Sequence, residues 1–550
     1  MTREALRPVV TTIDALEAAS VQYGNRIFIV DGEHEISFKD LERSVKTAAA
    51  GLLASGFGAG DHAAVWSPNS ANWIIAALAI QYLGGTLVTL NTRYKAAEAA
   101  AIIRASRSKV IFSVDRFLGI DYLQQLLNED CASAALFVAL PGNEIKGIDS
   151  QDDCERQVAL DRRVQPMTDL LETGERHLAD DKLAQALAQA RGQVTANTPS
   201  DILFTSGTTG APKGVITHHG QNIRAFTIFG DILGLDESDR YLIINPFFHS
   251  FGYKAGWLVA LLKGATIFPM PLFDVEKVID MVETHAISVM PGPPTLFQSI
   301  LQHPGLEPKR LATLKKATTG AAVIPTQLIV DMQTILDIDT VLTAYGLSES
   351  SGLVTICRHG DAPEIIATTS GRAIPNVEVA IMAVDGTLLA PEEAGEIVVR
   401  GFNVMHGYLD NPEATAEAID NDGWLHTGDI GILDEQGNLR ITDRLKDMYI
   451  CGGFNCYPAE IENQLLAHPD IAQVAVTGAP DPRMGEVGAA FFVPVAGADP
   501  SSEALIAWSR EHMANYKAPR YFISMASLPL NASGKVLKTE LRKQLDSLIG

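Results

Sequence analysis

The stretch "LFTSGTTGAPKGV" (residues 203–215) sets a short apolar, strand-like run before a loop of three threonines, three glycines and a serine, with one lysine near its end. Glycines let a backbone turn its N–H groups inward and hydroxyls add further donors, so the segment is a candidate anion cradle. The commonest phosphate loop reads G-x-x-x-x-G-K-[ST]. Gly207 starts that register, but Pro212 stands where the second glycine belongs and Gly214 where Ser or Thr belongs. The loop is therefore not of the Walker type. A solvated turn and an anion site of another kind are both open at this point.

On either side the chain alternates strand-like and helix-like segments. "RIFIVDGEHEISF" reads as a hairpin with an Asp-Gly turn, and "KDLERSVKTAAAGLLASG" as an amphipathic helix ending at glycine. "HAAVWSPN", "TLVTLN" and "KVIFSV" read as buried strands, separated by the helices "SANWIIAALAIQYLGG" and "AAEAAAIIRAS". Such repeated units predict an α/β architecture with largely parallel sheets. Residues 118–200 are acidic with weaker core patterning, and read as an elaborated surface segment. Beyond the loop, "YLIINPFFHS", "ATIFPM", "ISVMPGPP", "KKATTGAA" and "TVLTAYGLSES" are strands that each run into a small-residue loop. The ends of such strands form the ligand crevice in open α/β sheets. The charged "DRLKD" run marks a boundary at about 443–447, followed by a small α+β unit.

The chain has 550 residues, is 47% hydrophobic and 20% charged, and carries a formal net charge of −23. That charge argues against nucleic acid or an anionic membrane as partner, since repulsion would oppose every encounter. Anionic substrates must then be met by local positive potential. The apolar runs fall short of the roughly 18–20 residues a membrane span needs. The N-terminus lacks the basic and apolar regions of a signal peptide. Five unpatterned cysteines, including Cys451 and Cys456 in "CGGFNC", read as reduced thiols of a cytoplasmic protein rather than a metal site.

"TSGTTGAPKG" (205–214) resembles the phosphate-binding signature of the AMP-forming acyl-adenylate superfamily, which includes acyl-CoA synthetases, luciferases and peptide-synthetase adenylation domains. Further blocks of that family follow in order: "FFHSFG" (247–252), "TTGAA" (318–322), "YGLSE" (345–349), "WLHTGD" (424–429), "DRLKDMYICGGFNCYPAEIE" (443–462) and "ASGKVLK" (532–538). The resemblance covers essentially the whole chain. It implies an N-terminal domain of αβαβα-layered sheets with a β-barrel-like part (1–443), a hinge (444–446), and a small mobile α+β C-terminal domain (447–550). It also implies ATP, Mg²⁺ and a carboxylic acid as reactants, with a homodimer compatible.

Residue by residue, the resemblance assigns the β- and γ-phosphates to Thr205, Ser206, Gly207, Thr208, Thr209, Gly210 and Lys213. Ser348 stands near the α-phosphate, where the family more often has Thr, and Glu349 with Thr205 would hold Mg²⁺. Tyr345 and Gly346 would lie against the adenine, opposite Gly320, Ala321 and Ala322. Asp429 is similar to the family's ribose clamp, assisted by Arg444, and His249 corresponds to the aromatic gate beside the acyl carboxylate. Lys535 resembles the C-terminal lysine that reaches carboxylate and α-phosphate together. Lys446 falls at the hinge position, and Gly452 and Gly453 would border a pantetheine tunnel for coenzyme A.

The acceptor is read from what departs from each subclass. Amino-acid-activating relatives usually carry Asp after the gate aromatic, where this chain has Ser250, and no carrier domain follows. A luciferase-like member shares these blocks. A non-catalytic relative would be expected to lack Lys535 or Glu349. The acid would meet Phe251, Tyr253, Lys254 and Trp257 after the gate, and Pro291 and Gly292 of "MPGPP". If Lys254 faces the pocket, a second polar group on the acid is favoured, because a buried unpaired ammonium is costly. If it faces away it is scaffold. "NPFFHSFGYKAGW" and "ITDRLKDMYICGGFNCYPAE" are also similar to bacterial ligases acting on the hexahydroindane-propanoate fragment of steroid rings; a plain medium- or long-chain fatty acid is the alternative.

Overall fold

The computed structural model describes residues 8–131, 133–142, 162–206, 212–320, 324–383, 385–444, 449–456, 458–529, 536 and 538–549. Two large sheets dominate it. One runs in the order Gly407–Tyr408, Pro212–His218, Pro199–Ser206, Thr86–Thr89, His62–Trp66, Val110–Val114, Leu136–Leu140 and Val164–Pro166. The other has as its parallel centre Thr340–Tyr345, Lys316–Thr319, Val289–Pro291, Arg240–Ile243, Thr266–Pro269 and Ile27–Asp31. Strands covered on both faces need apolar side chains on both, which is why "HAAVW" and "VIFSV" read as continuous hydrophobic runs.

The helix Ala71–Tyr82 shows how the layers are joined. Its N-cap Ser70 accepts from the Trp73 amide at 3.2 Å. All its residues but Asn72 are buried, as expected of a helix apolar all round. One side packs on the strands His62–Trp66 and Thr86–Thr89, while Trp73 meets Phe247, Tyr253 and Trp257 beside the other sheet. A helix layer between two sheets is the layering that the sequence resemblance implies.

The first hairpin pairs Asp31 with His34, so its turn residues are Gly32 and Glu33, one position later than expected. The segment 118–200 is more integral than its composition suggests. Leu136–Leu140 pairs in parallel with Val110–Val114 inside the sheet, and the helix Met167–Leu178 packs tightly on Phe38–Ala54. A four-stranded antiparallel sheet (Val377–Met382, Gly395–Gly401, Leu425–Leu433, Leu439–Arg444) completes the larger core. A second core, from Tyr449 to Leu545, is separate from the one that runs from Ile13 to Leu439. Among the described residues no helix is long and apolar enough to cross a membrane.

His219 opens the helix His219–Leu233 inside the first core. Its Nδ1 accepts from the Thr12 amide at 3.3 Å and lies 3.1 Å from the Thr12 hydroxyl. Burial pulls its pKa from 6.5 down to about 4. Between those values the unfolded chain holds a proton that the folded chain does not, so stability is complete above pH 6.5 and falls as the pH drops toward 4. The loss expected from this one group is about 3 kcal/mol. Urea midpoints from pH 7 to pH 4 should therefore fall less steeply in His219→Gln; an unchanged slope would remove His219 from the acid response.

Candidate active site

The strands Pro199–Ser206 and Pro212–His218 form an antiparallel hairpin with Thr205 opposite Lys213 and Ser206 opposite Pro212. It carries the described ends of the opening motif; Gly207, Thr208, Thr209 and Gly210 lie outside the described residues. Asp201 anchors its base. That carboxylate accepts from Ser200 Oγ at 2.7 Å, Thr217 Oγ1 at 2.8 Å and Asn222 Nδ2 at 2.7 Å.

Lys254 Nζ lies 3.0 Å from Asp201 Oδ1, with side-chain exposures of 1% and 0%, and also donates to Thr217 Oγ1 at 3.0 Å. Of the two orientations left open for Lys254, the pocket-facing one is thereby corrected and the scaffold one stands, with the ammonium paired inside the fold rather than solvated. Burial lowers its pKa, with Asp201 opposing that shift. Tyr253 and Trp257, stacked at 4.9 Å, are likewise fully buried, and the Tyr253 hydroxyl lies 2.8 Å from Gln81 Nε2. They occur in a π-helical turn, Tyr253–Leu258, a distortion frequent beside functional sites. Phe251 is half-buried; Pro291 and Gly292 are buried at the end of the strand Val289–Pro291. His249, which caps the short helix at 250–252 and accepts from the Phe251 amide at 3.2 Å, is solvent-accessible yet set among dense protein that lowers its pKa.

The strand Thr340–Tyr345 leads into the turn that carries Ser348 and Glu349. Gly346 is required there, because a Cβ would sit 2.3 Å from the Gly352 carbonyl oxygen. The half-buried Glu349 accepts from the Tyr408 hydroxyl at 2.9 Å, with the Thr205 hydroxyl and Lys213 close enough to act on its charge. Burial pushes its pKa up; the two hydroxyls and the lysine pull it back. Among the described residues no three His, Cys, Asp or Glu side chains cluster as a metal cage. One carboxylate and one hydroxyl suit Mg²⁺, which keeps waters and takes substrate phosphate oxygens for the rest of its shell.

Asp429 Oδ2 accepts from the Tyr345 hydroxyl at 2.7 Å, and Asp429 stands opposite Arg444 across the pair Leu425–Leu433 and Leu439–Arg444. The fold thus brings Tyr345, Asp429, Glu349, Thr205 and Lys213 to one crevice from three separate blocks. Gly320 ends the neighbouring strand Lys316–Thr319. Ala321, Ala322, Lys446 and Lys535 lie outside the described residues, as do the side chains of Ser206 and Arg444.

In the smaller unit Cys451 pairs with Phe454, leaving Gly452 and Gly453 as a two-residue turn with φ of 57° and 82°. That geometry strongly favours glycine. A cavity of about 360 Å³ beside the turn is lined by Arg93, Cys451, Arg483, Met484, Arg510 and Arg520. The two cores meet here. Asn91 donates to the Tyr516 hydroxyl at 3.1 Å, Arg93 lies over the Phe454 ring at 4.5 Å, and Lys517 bridges Glu98 at 3.0 Å and Glu460 at 2.5 Å. Neither Tyr408 nor this arginine group stands out in the sequence. The arginines come from scattered segments in a strongly acidic chain, and the signal for Tyr408 is only its place in "MHGYL".

The model of the AMP-binding enzyme family matches residues 16–409, and that of the AMP-binding enzyme C-terminal domain matches residues 460–535. A 3-[(3aS,4S,7aS)-7a-methyl-1,5-dioxo-octahydro-1H-inden-4-yl]propanoyl:CoA ligase from Rhodococcus jostii is 45% identical over 97% of this chain and 98% of its own length. A double mutant of the o-succinylbenzoate CoA synthetase of Bacillus subtilis, bound with its product analogue, superimposes with a TM-score of 0.77 at 26% identity, covering 96% of this chain and 98% of that one. The same synthetase in complex with its acyl-adenylate intermediate gives 0.63 at 26% identity, over 96% and 97%. With both parts matched by family models and near-full-length identity to a curated member, the chain belongs to the AMP-binding enzyme family.

Proposed function

We propose that this AMP-forming acid–CoA ligase acts on a fused-ring keto acid of the indanedione-propanoate class. The observation that carries the substrate is the 45% identity, over almost the full length of both chains, to a ligase named for such an acid. The crevice chemistry carries the first half-reaction. An acid carboxylate oxygen attacks the α-phosphorus of ATP, the bond from that phosphorus to the α,β-bridging oxygen breaks, and pyrophosphate leaves. Positioning and charge stabilisation dominate such a step. In this reading Thr205 and Lys213 hold the departing phosphates, Asp429 accepts the ribose hydroxyls, Tyr345 flanks the adenine and His249 gates the carboxylate. Glu349 and Thr205 would hold Mg²⁺, which supplies neutralisation of phosphate charge when bound.

In the second half-reaction the thiol sulfur of coenzyme A attacks the acyl carbonyl, AMP leaves with its phosphate, and the thiol proton is lost. Gly452 and Gly453 line the path of the thiol arm, and the adjacent arginines suit a polyanionic acceptor. The division into residues 1–443, a hinge at 444–446 and a mobile 447–550 belongs to the same reading, supported by the two separate cores. The higher likeness to the product-analogue complex than to the adenylate complex supports a thioester-forming arrangement of the two parts. Four cysteines described as free and buried fit a reducing, cytoplasmic setting.

The test is a panel of acids assayed for AMP release with and without coenzyme A: the fused-ring diketo acid, medium- and long-chain fatty acids, and amino acids. The expected result is CoA-dependent AMP release with the highest kcat/KM on the fused-ring acid. Equal efficiency on simple fatty acids would remove the substrate assignment. Turnover of amino acids without coenzyme A would remove the ligase reading.

A further inference from the structure

The two halves of the phosphate site come from distant parts of the chain, and something must set the distance between them. Lys213 and Thr205 lie on the hairpin, whereas Glu349 lies on the turn after Thr340–Tyr345, in the other sheet. The short strand Gly407–Tyr408 touches both. It is zipped to the hairpin, Tyr408 standing opposite Val215 and Gly407 opposite Ile216. Backbone bonds continue on each side, from the His406 amide to the Ile216 carbonyl at 2.9 Å and from the Leu409 amide to the Gly214 carbonyl at 2.8 Å. The same segment grips Glu349 twice: the Met405 amide donates to the Glu349 carbonyl at 2.7 Å, and the Tyr408 hydroxyl to its carboxylate at 2.9 Å. The Tyr408 ring also underlies the Lys213 ammonium, 5.0 Å from Nζ to the ring centroid. The strand is itself fixed from behind, since the Tyr408 amide donates to Thr415 Oγ1 at 2.9 Å.

We infer that Tyr408 is a positioning residue for Mg²⁺·ATP, holding the Glu349 carboxylate and the Lys213 ammonium in the register that one metal–triphosphate unit requires. The inference rests on the proposed roles of Glu349 and Lys213. The tyrosine acts through both: its hydroxyl aims one Glu349 oxygen and leaves the other to face the metal, while its ring restricts the lysine. A carboxylate without that bond would sample other rotamers, and each binding event would have to reorder it.

The test is calorimetric binding of Mg²⁺·ATP and of ATP with EDTA, in the absence of any acid, to the full-length protein and to Tyr408→Phe. Phenylalanine keeps the ring over Lys213 and the packing of the strand while removing the hydroxyl that bonds Glu349. The expected result is a rise of about tenfold in the Kd for Mg²⁺·ATP, the scale of one hydrogen bond to a charged group. Binding of metal-free ATP should change far less, and thioester formation from supplied acyl-adenylate should be unaltered. As a control on fold, Tyr408→Leu should weaken Mg²⁺·ATP further than Tyr408→Phe, because the lysine then loses its platform. Equal Mg²⁺·ATP affinity of wild type and Tyr408→Phe would overturn the inference while leaving the ligase reading intact. An equal loss with and without Mg²⁺ would overturn it as well, since the bond to the metal-holding carboxylate would then not be what matters. Failure of the wild type to bind Mg²⁺·ATP would overturn both.

Discussion

Asp201→Ala is expected to destabilise the larger core more than Lys254→Met, although the two residues form one buried ion pair. Removing either partner of such a pair leaves a charge without compensation, at about 3–5 kcal/mol. The two residues differ in what else they serve. Asp201 is the shared acceptor of Ser200, Thr217, Asn222 and Lys254, so its loss strands three further buried donors, each at about 1–3 kcal/mol. Losing Lys254 leaves the carboxylate with three donors still in place. Part of the cost of Asp201→Ala is avoided if Lys254 sheds its proton, so the defect should deepen as the pH falls. Because Asp201 also anchors the base of the phosphate hairpin, ATP affinity should fall with stability in Asp201→Ala. Urea midpoints followed by the fluorescence of buried Trp73 and Trp257 are the measurement. The double variant Asp201→Leu/Lys254→Met should lose less than Asp201→Ala, since no charge is left buried. A larger loss in Lys254→Met than in Asp201→Ala would contradict the acceptor-centred network.

The same pair shows where reading the chain alone stops. The glycine-rich hairpin and the turn from Tyr345 to Glu349 are legible because local backbone demands dictate small residues there, Gly346 lying against Gly352 being one case. The parallel strands are legible because burial on both faces leaves unbroken apolar runs. Lys254 is different. In "FGYKAGW" a cation among aromatics leaves pocket wall and scaffold both open, and only the tertiary fold shows that a π-helical turn points it at Asp201, 53 residues earlier. Tyr408 is opaque for the same reason: its partner Glu349 is 59 positions away, and no periodicity links them. In the segment 118–200, sparse apolar patterning hid Leu136–Leu140, a strand near the sheet's edge whose burial pattern is only partial. The arginine-lined cavity draws on Arg93 from one core and Arg483, Arg510 and Arg520 from the other, so it exists only once the two cores are docked.

Lys535→Ala is expected to separate the two half-reactions. Adenylation brings a carboxylate and a triphosphate into contact, and the charge crowded at the α-phosphate needs a cation in place before the transition state forms. Removing one such preorganised charge costs about 10²–10³-fold in rate, so acid-dependent pyrophosphate exchange should fall by at least that much. Thioester formation has no such need, because the adenylate already carries the activated carbonyl and the incoming group is a thiol. The face of the smaller unit that meets the larger core carries Phe454, Tyr516 and Lys517, next to the Gly452–Gly453 turn. In the proposed alternation of the two parts, one docked arrangement serves adenylation through Lys535 and another serves the thiol through the Gly452–Gly453 turn. The rate of thioester formation from supplied acyl-adenylate should therefore stay within about threefold of wild type, as for a residue making no contact in that step. Single-turnover assays of each half separate the two quantities. A parallel fall in both would mean that Lys535 holds the chain's active form together rather than serving one of two alternating arrangements, and the mobile-domain reading of residues 447–550 would fall with it.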